Sequence, residues 1–192
     1  MAEVKVLFVG PKEAGKTALA NYLSGAIQNA DDPALAPTRP TVGCRVLEFD
    51  LPRGNQNQEN KTFTAIKASV EIWDISGDRA YEGGWAAARH NAIGAVFVYD
   101  GDKPGDDKDL DQWYKWFAEP LGLRESQCLV MCHHKGGVSR GFKPPSARSL
   151  AKVHAVQTNL EEKATVIRDE FDKFVAEALK ASREKEEQGI IG

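Results

Sequence analysis

The chain has 192 residues, of which 42% are hydrophobic and 28% are charged, and its formal net charge is -3 at pH 7. This length and composition are typical of a single soluble globular domain. The slightly negative net charge provides no electrostatic attraction for nucleic acid, so a nucleic-acid-binding protein is not expected.

The three cysteines, Cys44, Cys128 and Cys132, do not provide the disulfide framework of a small secreted protein. The first apolar stretch is too short for a signal peptide or a membrane span. The final residues, REKEEQGIIG, contain no cysteine that could be prenylated. We therefore expect a cytoplasmic protein with no direct lipid anchor, which would reach a membrane only through a partner.

The first predicted element is a strand over residues 4–9, where a nearly continuous apolar run indicates burial on both faces. A helix is then expected from near Gly15 to about Ser24, and Gly25 is a plausible stop signal.

A hairpin is predicted next. In residues 65–73 apolar and polar side chains alternate, which is the period of a strand with one exposed face. Residues 45–51 are expected to pair with this strand across the polar loop at 53–62.

Three further buried strands and two amphipathic helices complete the pattern. The strands are expected at 95–99, 128–132 and 150–156. The helical stripes consist of Leu110, Trp113 and Phe117, and of Ile167, Phe171, Phe174 and Ala178. Strands that alternate with helices predict an α/β fold, with a six-stranded, mainly parallel sheet and about five helices on its two faces. We expect one domain over residues 1–182 and a charged, solvated helix end in the C-terminal tail at 183–192.

The strongest chemical signal is GPKEAGKT at residues 10–17, which follows a predicted strand and opens a predicted helix. In such a phosphate-binding loop Gly15 allows close approach of the backbone, and Lys16 supplies a full positive charge. The hydroxyl of Thr17 is expected to bind Mg²⁺.

Two further stretches, RPTVG at 39–43 and WDISGD at 73–78, narrow the choice of nucleotide-binding protein. A carboxylate at the end of a strand can hold Mg²⁺ through water, and a loop threonine can complete the metal shell. These roles suit Asp74 and Thr41, so the predicted metal ligands are Thr17, Thr41 and Asp74. The N–H of Gly77 is expected to face the γ-phosphate of a nucleotide.

With these motifs the chain resembles the Ras-superfamily small GTPases of the Rab-like kind. Within that group it is most similar to the Rab-like small GTPase subunit of intraflagellar transport complex B. The stretches that carry the resemblance are LFVGPKEAGKT, PTVGCRVLEF, DQWYKWF and QCLVMCHHKGG. The resemblance implies the P-loop small GTPase fold, GTP or GDP with Mg²⁺ as ligands, and docking on the coiled-coil core subunits of that complex. It also implies a location in the cytoplasm and at the cilium or flagellum and its base.

The resemblance also implies the residues that bind the nucleotide. They are Gly10, Lys12, Glu13, Ala14, Gly15, Lys16, Thr17, Ala18, Thr41, Gly77, His134, Lys135, Thr158 and Asn159.

The sequence departs from the hydrolytic pattern at two places. Asp78 stands where these enzymes usually carry the glutamine that orients the attacking water, and a carboxylate brings negative charge toward the phosphate. Asp78 is therefore a doubtful catalytic residue. Lys12, followed by Glu13, replaces a small residue of the phosphate loop, and its side chain either crowds the site, approaches the γ-phosphate or extends into solvent. Together these departures favour nucleotide binding over fast hydrolysis.

The base-recognition motif N-K-x-D of the family corresponds to HKGG at residues 134–137. His134 replaces the asparagine, Lys135 is retained, and Gly137 replaces the aspartate that reads guanine. Without that carboxylate, selection against adenine should weaken.

Thr158 and Asn159 occupy the last base-binding position, where Asn159 can contact the base through its backbone N–H. A helix cap formed by Thr158 and Glu161 is compatible with that role.

Cys132, His133 and His134 also invite a zinc-site or catalytic-cysteine interpretation. Adjacent residues on a strand point to opposite faces, however, so the two histidines should not converge on one ion. No feature marks Cys132 as an activated nucleophile rather than a small buried residue.

The predicted function is a GTP-dependent binding module, whose segments around 30–43 and 77–90 are presented to a protein partner. Three alternatives remain open. They are a competent trafficking GTPase that needs an activating protein, a P-loop protein that also binds ATP, and a scaffold that keeps its nucleotide or binds none.

Overall fold

A computed structural model describes residues 1–27, 39–52, 66–136, 142, 144–162 and 164–190. Six strands are present: β1 (Ala2–Val9), β2 (Cys44–Leu51), β3 (Ala68–Ile75), β4 (Gly94–Asp100), β5 (Cys128–His133) and β6 (Ala155–Thr158). The α-helices within the described residues are α1 (Lys16–Ser24), α2 (Trp85–Arg89), α3 (Leu110–Phe117) and α4 (Ala164–Ile190). Short 3₁₀ helices span Arg79–Gly84, Glu119–Leu121, Glu125–Gln127 and Arg148–Leu150.

The strands form one sheet in the order β2-β3-β1-β4-β5-β6. All neighbours are parallel except β2 and β3, which pair antiparallel as the predicted hairpin. The predicted six-stranded, mainly parallel α/β fold is confirmed. Because parallel strands end at the same edge of a sheet, the carboxyl ends of β1, β3, β4, β5 and β6 bring their loops together there.

Two hydrophobic layers cover the two faces of the sheet. One face packs against α1 and α4, where Phe171 of the predicted stripe contacts the ring of Phe8 at a centroid distance of 5.9 Å. The other face packs against α2 and α3 through Leu110, Trp113 and Phe117. Both predicted helical stripes are therefore core.

Some expectations differ from the structure. The sixth strand begins at Ala155 rather than at residue 150, because Leu150 lies in a 3₁₀ helix and Val153 in the turn that follows, where both are buried. The described residues contain four α-helices where about five were expected. The helix α4 is continuous across residue 182 and includes most of the predicted charged tail.

The end of α4 is held to the body of the domain. Arg124 pairs with Glu184 at 3.1 Å, and the Nζ of Lys185 donates to the carbonyl of Leu121. Within the described ranges, no helix has the length and apolar character that a membrane crossing requires. The polar loop at 53–62 lies outside the described residues.

Candidate nucleotide- and metal-binding site

The phosphate loop joins β1 to α1 at the carboxyl edge of the sheet. Gly15 has a φ of 93°, and a Cβ added there would overlap the imidazole ring of His133. Glu13 also has a positive φ, 61°, which is uncommon for a residue other than glycine. The loop therefore has a tight backbone path, for which Gly15 is the suitable residue.

Lys16 is the buried cation of this loop, and its residue is 6% exposed. Its Nζ donates to the carbonyl oxygens of Gly10 at 2.9 Å and Pro11 at 2.6 Å. Burial lowers the pKa of Lys16 to about 8, although the nearby carboxylates of Asp74 and Asp106 oppose this shift. A phosphate anion at this point would compensate for the desolvated charge.

The three residues predicted as metal ligands lie together beside Lys16. The Oγ1 of Thr17 donates to Asp74 Oδ2 at 2.7 Å, and the Oγ1 of Thr41 lies 3.1 Å from the same oxygen. The two hydroxyl oxygens are 3.0 Å apart. The structure thus joins residues from α1, from the segment before β2 and from β3 in one cluster of oxygens.

Asp74 has an incomplete hydrogen-bond environment. It is 0% exposed, and its Oδ1 has no hydrogen-bond partner among the residues that the structure describes. Burial raises its pKa, while hydrogen bonds from Thr17 and Thr41 and the charge of Lys16 oppose the shift. A buried, unpaired carboxylate oxygen next to two hydroxyls has the donor chemistry that Mg²⁺ prefers. The residues present therefore fit this metal.

Gly77 lies directly against the phosphate loop. A Cβ added to Gly77 would be 2.5 Å from the backbone nitrogen of Lys12 and 2.7 Å from the carbonyl oxygen of Pro11. The predicted γ-phosphate contact is thus next to the loop that would hold the other phosphates.

Next to this contact, the two departures from the hydrolytic pattern form an ion pair. The Nζ of Lys12 is 2.7 Å from Asp78 Oδ2, and the side chains are 62% and 39% exposed. The other oxygen of Asp78 accepts a hydrogen bond from the N–H of Ala80, where it caps the 3₁₀ helix Arg79–Gly84. The hydrogen bond from Lys12 lowers the pKa of Asp78. The sequence predicts no contact between these residues, although their opposite charges are a signal for pairing.

The two histidines after Cys132 point to different environments, as expected of neighbouring strand residues. His133 lies against Gly15, and its Nδ1 is 3.1 Å from Thr158 Oγ1. Burial lowers the pKa of His133 to about 4, so the ring is neutral at physiological pH. The contact of His133 with the phosphate loop is not predicted by the sequence, because its position directly before the base motif does not indicate one.

His134 faces away into a separate polar network, and its side chain is 3% exposed. Its Nδ1 donates to Asp102 Oδ1 at 2.8 Å, and its Nε2 accepts from the amide of Gln157 at 3.0 Å. These partners suit the tautomer that carries a proton on Nδ1 and leaves Nε2 as an acceptor. Within the described ranges no three His, Cys, Asp or Glu side chains are arranged to hold a metal ion.

Lys135 connects the base motif to the phosphate loop. Its Nζ donates to the carbonyl of Glu13 and pairs with Asp100 Oδ2 at 2.9 Å. The backbone N–H groups of Lys135 and Gly136 donate to Asp102 Oδ2 at 3.0 and 3.4 Å. Asp102 therefore holds the described part of the base motif, a contact that sequence reasoning did not find. Gly137 lies outside the described residues.

Thr158 ends β6, and Asn159 follows it beside the base motif. The Nδ2 of Asn159 donates to the carbonyl of Gly136 at 3.0 Å, and its Oδ1 accepts from the N–H groups of Glu161 and Glu162. The expected cap by Thr158 is wrong, since its hydroxyl is bonded to His133 and α4 begins only at Ala164.

The remaining nucleotide-binding candidates of the phosphate loop are Ala14, which is buried, and Ala18, which lies in the first turn of α1. The fourteen nucleotide-binding candidates thus lie in two places. Some are on the phosphate loop and the first turn of α1, and the others are at the strand ends and adjoining segments along the same edge of the sheet.

Comparison with known proteins identifies the family of the chain. The family model described as Ras of Complex, Roc, domain of DAPkinase matches residues 5–136. The intraflagellar transport protein 22 homolog of Danio rerio is 37% identical over 195 residues, with 100% of both chains covered.

Two solved structures from Trypanosoma brucei are also similar. The GDP-bound IFT22 crystal structure is 28% identical and has a TM-score of 0.69, with 95% of this chain and 99% of that chain covered. The GTP-bound IFT22/74/81 structure is 27% identical with a TM-score of 0.71, and 96% and 99% are covered. Since the Danio rerio relative is matched over the whole length of both chains and the fold is matched over 95% of this one, the chain belongs to the intraflagellar transport protein 22 family of Ras-like small GTPases.

Proposed function

We propose that this chain is the Rab-like, guanine-nucleotide-binding subunit of the intraflagellar transport complex B core. In that role it acts in cilium or flagellum assembly as a nucleotide-dependent binding module. The observation that carries the nucleotide-dependent part of the proposal is the convergence of Thr17, Thr41 and Asp74 beside the buried Lys16. The GDP-bound and GTP-bound structures of the Trypanosoma brucei relative support guanine nucleotides as the ligands.

Mg²⁺ is the proposed metal of this site. When bound, it would neutralise part of the phosphate charge. Thr17 and Thr41 offer hydroxyl oxygens, and Asp74 offers an oxygen with no hydrogen-bond partner among the described residues. Because Thr41 comes from the segment before β2, its participation would make the position of that segment depend on the bound nucleotide.

A γ-phosphate would report its presence through Thr41 and Gly77. These residues belong to the segments predicted to face a partner, 30–43 and 77–90. Of the first segment, the structure describes residues 39–43. Release of the γ-phosphate would remove both contacts, which is the usual basis of a GTPase switch.

Hydrolysis in this site is slow or absent. Asp78 accepts a hydrogen bond from the N–H of Ala80, and its carboxylate is a weak base that brings negative charge toward the γ-phosphate. It also offers no donor that could orient a water molecule. Release of phosphate under single-turnover conditions tests this point. Release at the rate of an activated GTPase would instead indicate a competent enzyme, and addition of candidate activating proteins tests for a trafficking GTPase.

Base selection decides between a GTP-specific protein and one that also binds ATP. Residues 134–136, which are the described part of the base motif, carry no carboxylate, and Asp102 is already bonded to His134 and to two backbone N–H groups. The test is to identify the nucleotide released when the purified protein is denatured, and then to titrate GTP, GDP and ATP into stripped protein. Predominant GTP or GDP supports the proposal, and an absence of nucleotide binding refutes it.

The proposed partners are the coiled-coil core subunits of intraflagellar transport complex B. The Trypanosoma brucei structure in which IFT22 is bound with IFT74 and IFT81 supports this choice. Co-purification with the corresponding two subunits in the presence of GTP or GDP tests it. The expected location is the cytoplasm and the cilium or flagellum and its base, and a fluorescent fusion followed in ciliated cells would show it.

A further inference from the structure

Lys12 and Asp78 lie far apart in the sequence but meet at the phosphate side of the site. The Nζ–Oδ2 distance is 2.7 Å, and the pair connects the phosphate loop to the segment after β3. Asp78 is fixed from its own side, because its N–H donates to Ser76 Oγ and its Oδ1 accepts from Ala80. Among the residues that the structure describes, Asp78 is the partner that holds the side chain of Lys12. The lysine is therefore the more mobile member of the pair.

The pair borders the place where a terminal phosphate would enter. Gly77 precedes Asp78 and lies against the backbone of Pro11 and Lys12. A γ-phosphate that accepted a hydrogen bond from the N–H of Gly77 would therefore lie next to both charged side chains. A GDP molecule has no phosphate group there.

We propose that Lys12 distinguishes a nucleoside triphosphate from a diphosphate by exchanging its partner. With GDP its ammonium group stays on Asp78, and with GTP it moves to the terminal phosphate. Asp78 then acts as a competitor for the lysine and as a source of repulsion for the phosphate. The inference rests on the proposed binding of guanine nucleotides.

The electrostatics favour this exchange. A terminal phosphate offers more negative charge and more acceptor oxygens than one carboxylate, and the four-carbon stem of lysine can turn between nearby anions. Asp78 loses little when the lysine leaves, because its side chain is 39% exposed and water can solvate it. The carboxylate remains as a fixed negative charge beside the phosphate.

The test compares two variants, Lys12→Met and Asp78→Asn. Methionine keeps most of the lysine stem. Asparagine keeps an oxygen that can accept the hydrogen bond from the N–H of Ala80. Equilibrium dissociation constants are measured by calorimetry for GDP and for a non-hydrolysable GTP analogue, both with Mg²⁺. The readout is the ratio of the two affinities. A general loss of folded protein would lower both affinities together and leave their ratio unchanged.

The two variants should move this ratio in opposite directions. Lys12→Met is expected to lower the preference for the triphosphate by about five- to tenfold, the effect of one partly exposed charged hydrogen bond. Asp78→Asn is expected to raise it by about threefold, since it frees Lys12 and removes the repulsion. Glu82→Gln is the matched control, because this carboxylate lies in the same segment but pairs with Arg79, and the ratio should stay unchanged.

The outcomes separate the two hypotheses. If the unmodified protein binds neither nucleotide, the proposed function is refuted together with this inference. If it binds both, but the two variants shift the ratio in the same direction or leave it unchanged, Lys12 and Asp78 only join two segments and the inference alone is refuted.

Discussion

The contact between Gly77 and the phosphate loop allows a quantitative prediction for Gly77→Ala. The added carbon would be 2.5 Å from Lys12 N, 2.6 Å from Pro11 C and 2.7 Å from Pro11 O. These are backbone atoms, which cannot rotate away as a flexible side chain can. Since ordinary contact begins at 3.4 Å, the two segments must separate by about 0.9 Å.

This separation would weaken the contact between the N–H of Gly77 and the γ-phosphate. A hydrogen bond to a charged group contributes about 1.5–3 kcal/mol, and a lengthening of this size removes most of it. The affinity for a non-hydrolysable GTP analogue should fall by roughly ten- to a hundredfold. The affinity for GDP should change much less, because GDP has no phosphate at this position.

The assay is a titration of stripped Gly77→Ala protein with the GTP analogue and with GDP, in the presence of Mg²⁺. Gly83→Ala is the matched control, because it lies in the same segment and its added carbon would meet no atom within 4 Å. A wild-type ratio of the two affinities in Gly77→Ala would show that the N–H of Gly77 does not read the γ-phosphate.

Three further predictions concern Lys16, Asp74 and Trp85. A bound phosphate should raise the pKa of Lys16 above its value of about 8, so binding takes up a proton at high pH. The affinity for GDP should therefore fall as the pH rises through 8. Calorimetry between pH 7 and pH 9 that shows no such fall would contradict this role of Lys16. In Asp74→Asn the enhancement of GTP affinity by Mg²⁺ should be lost, as measured by titration with Mg²⁺ or with EDTA, whereas an intact Mg²⁺ effect would show that the metal does not need this carboxylate. Trp85 is 5% exposed and packs against Trp113, Trp116 and Phe117. The variant Trp85→Ala should therefore lower the free energy of unfolding by about 3–5 kcal/mol. A decrease below about 1 kcal/mol, measured by guanidinium unfolding, would show that the aromatic cluster adds little stability.

Local motifs made the central part of the site predictable. Gly15, Lys16 and Thr17 are consecutive, and their roles follow from one backbone loop between a strand and a helix. Asp74 and Thr41 could be added because each stands next to a predicted strand, and parallel strands deliver their ends to a common edge. The structure brings these residues within hydrogen-bond distance.

Contacts that depend on tertiary packing were not predictable in the same way. The pairing of Lys12 with Asp78 depends on how the segment after β3 turns toward the phosphate loop, and no local pattern encodes that turn. The contacts of Asp102 with the base motif have the same origin, because it lies after β4 and meets residues that follow β5.

The sixth strand shows how an apolar pattern can mislead. Leu150 and Val153 are buried, as strand residues would be, but they belong to a 3₁₀ helix and to a turn. Burial and strand geometry are separate properties, and a short apolar run reports only the first. The start of a short strand is therefore poorly defined by hydrophobicity alone.

The position of Trp85 also offers an intrinsic optical probe of the nucleotide state. The 3₁₀ helix Arg79–Gly84 has no buried residue, whereas Trp85 directly after it is fixed in an aromatic cluster on α3. A rearrangement near Gly77 would thus leave Trp85 in place but change the surroundings of its indole ring. Because indole emission responds to its surroundings, the fluorescence of the unlabelled protein should follow the exchange of GDP for GTP in real time.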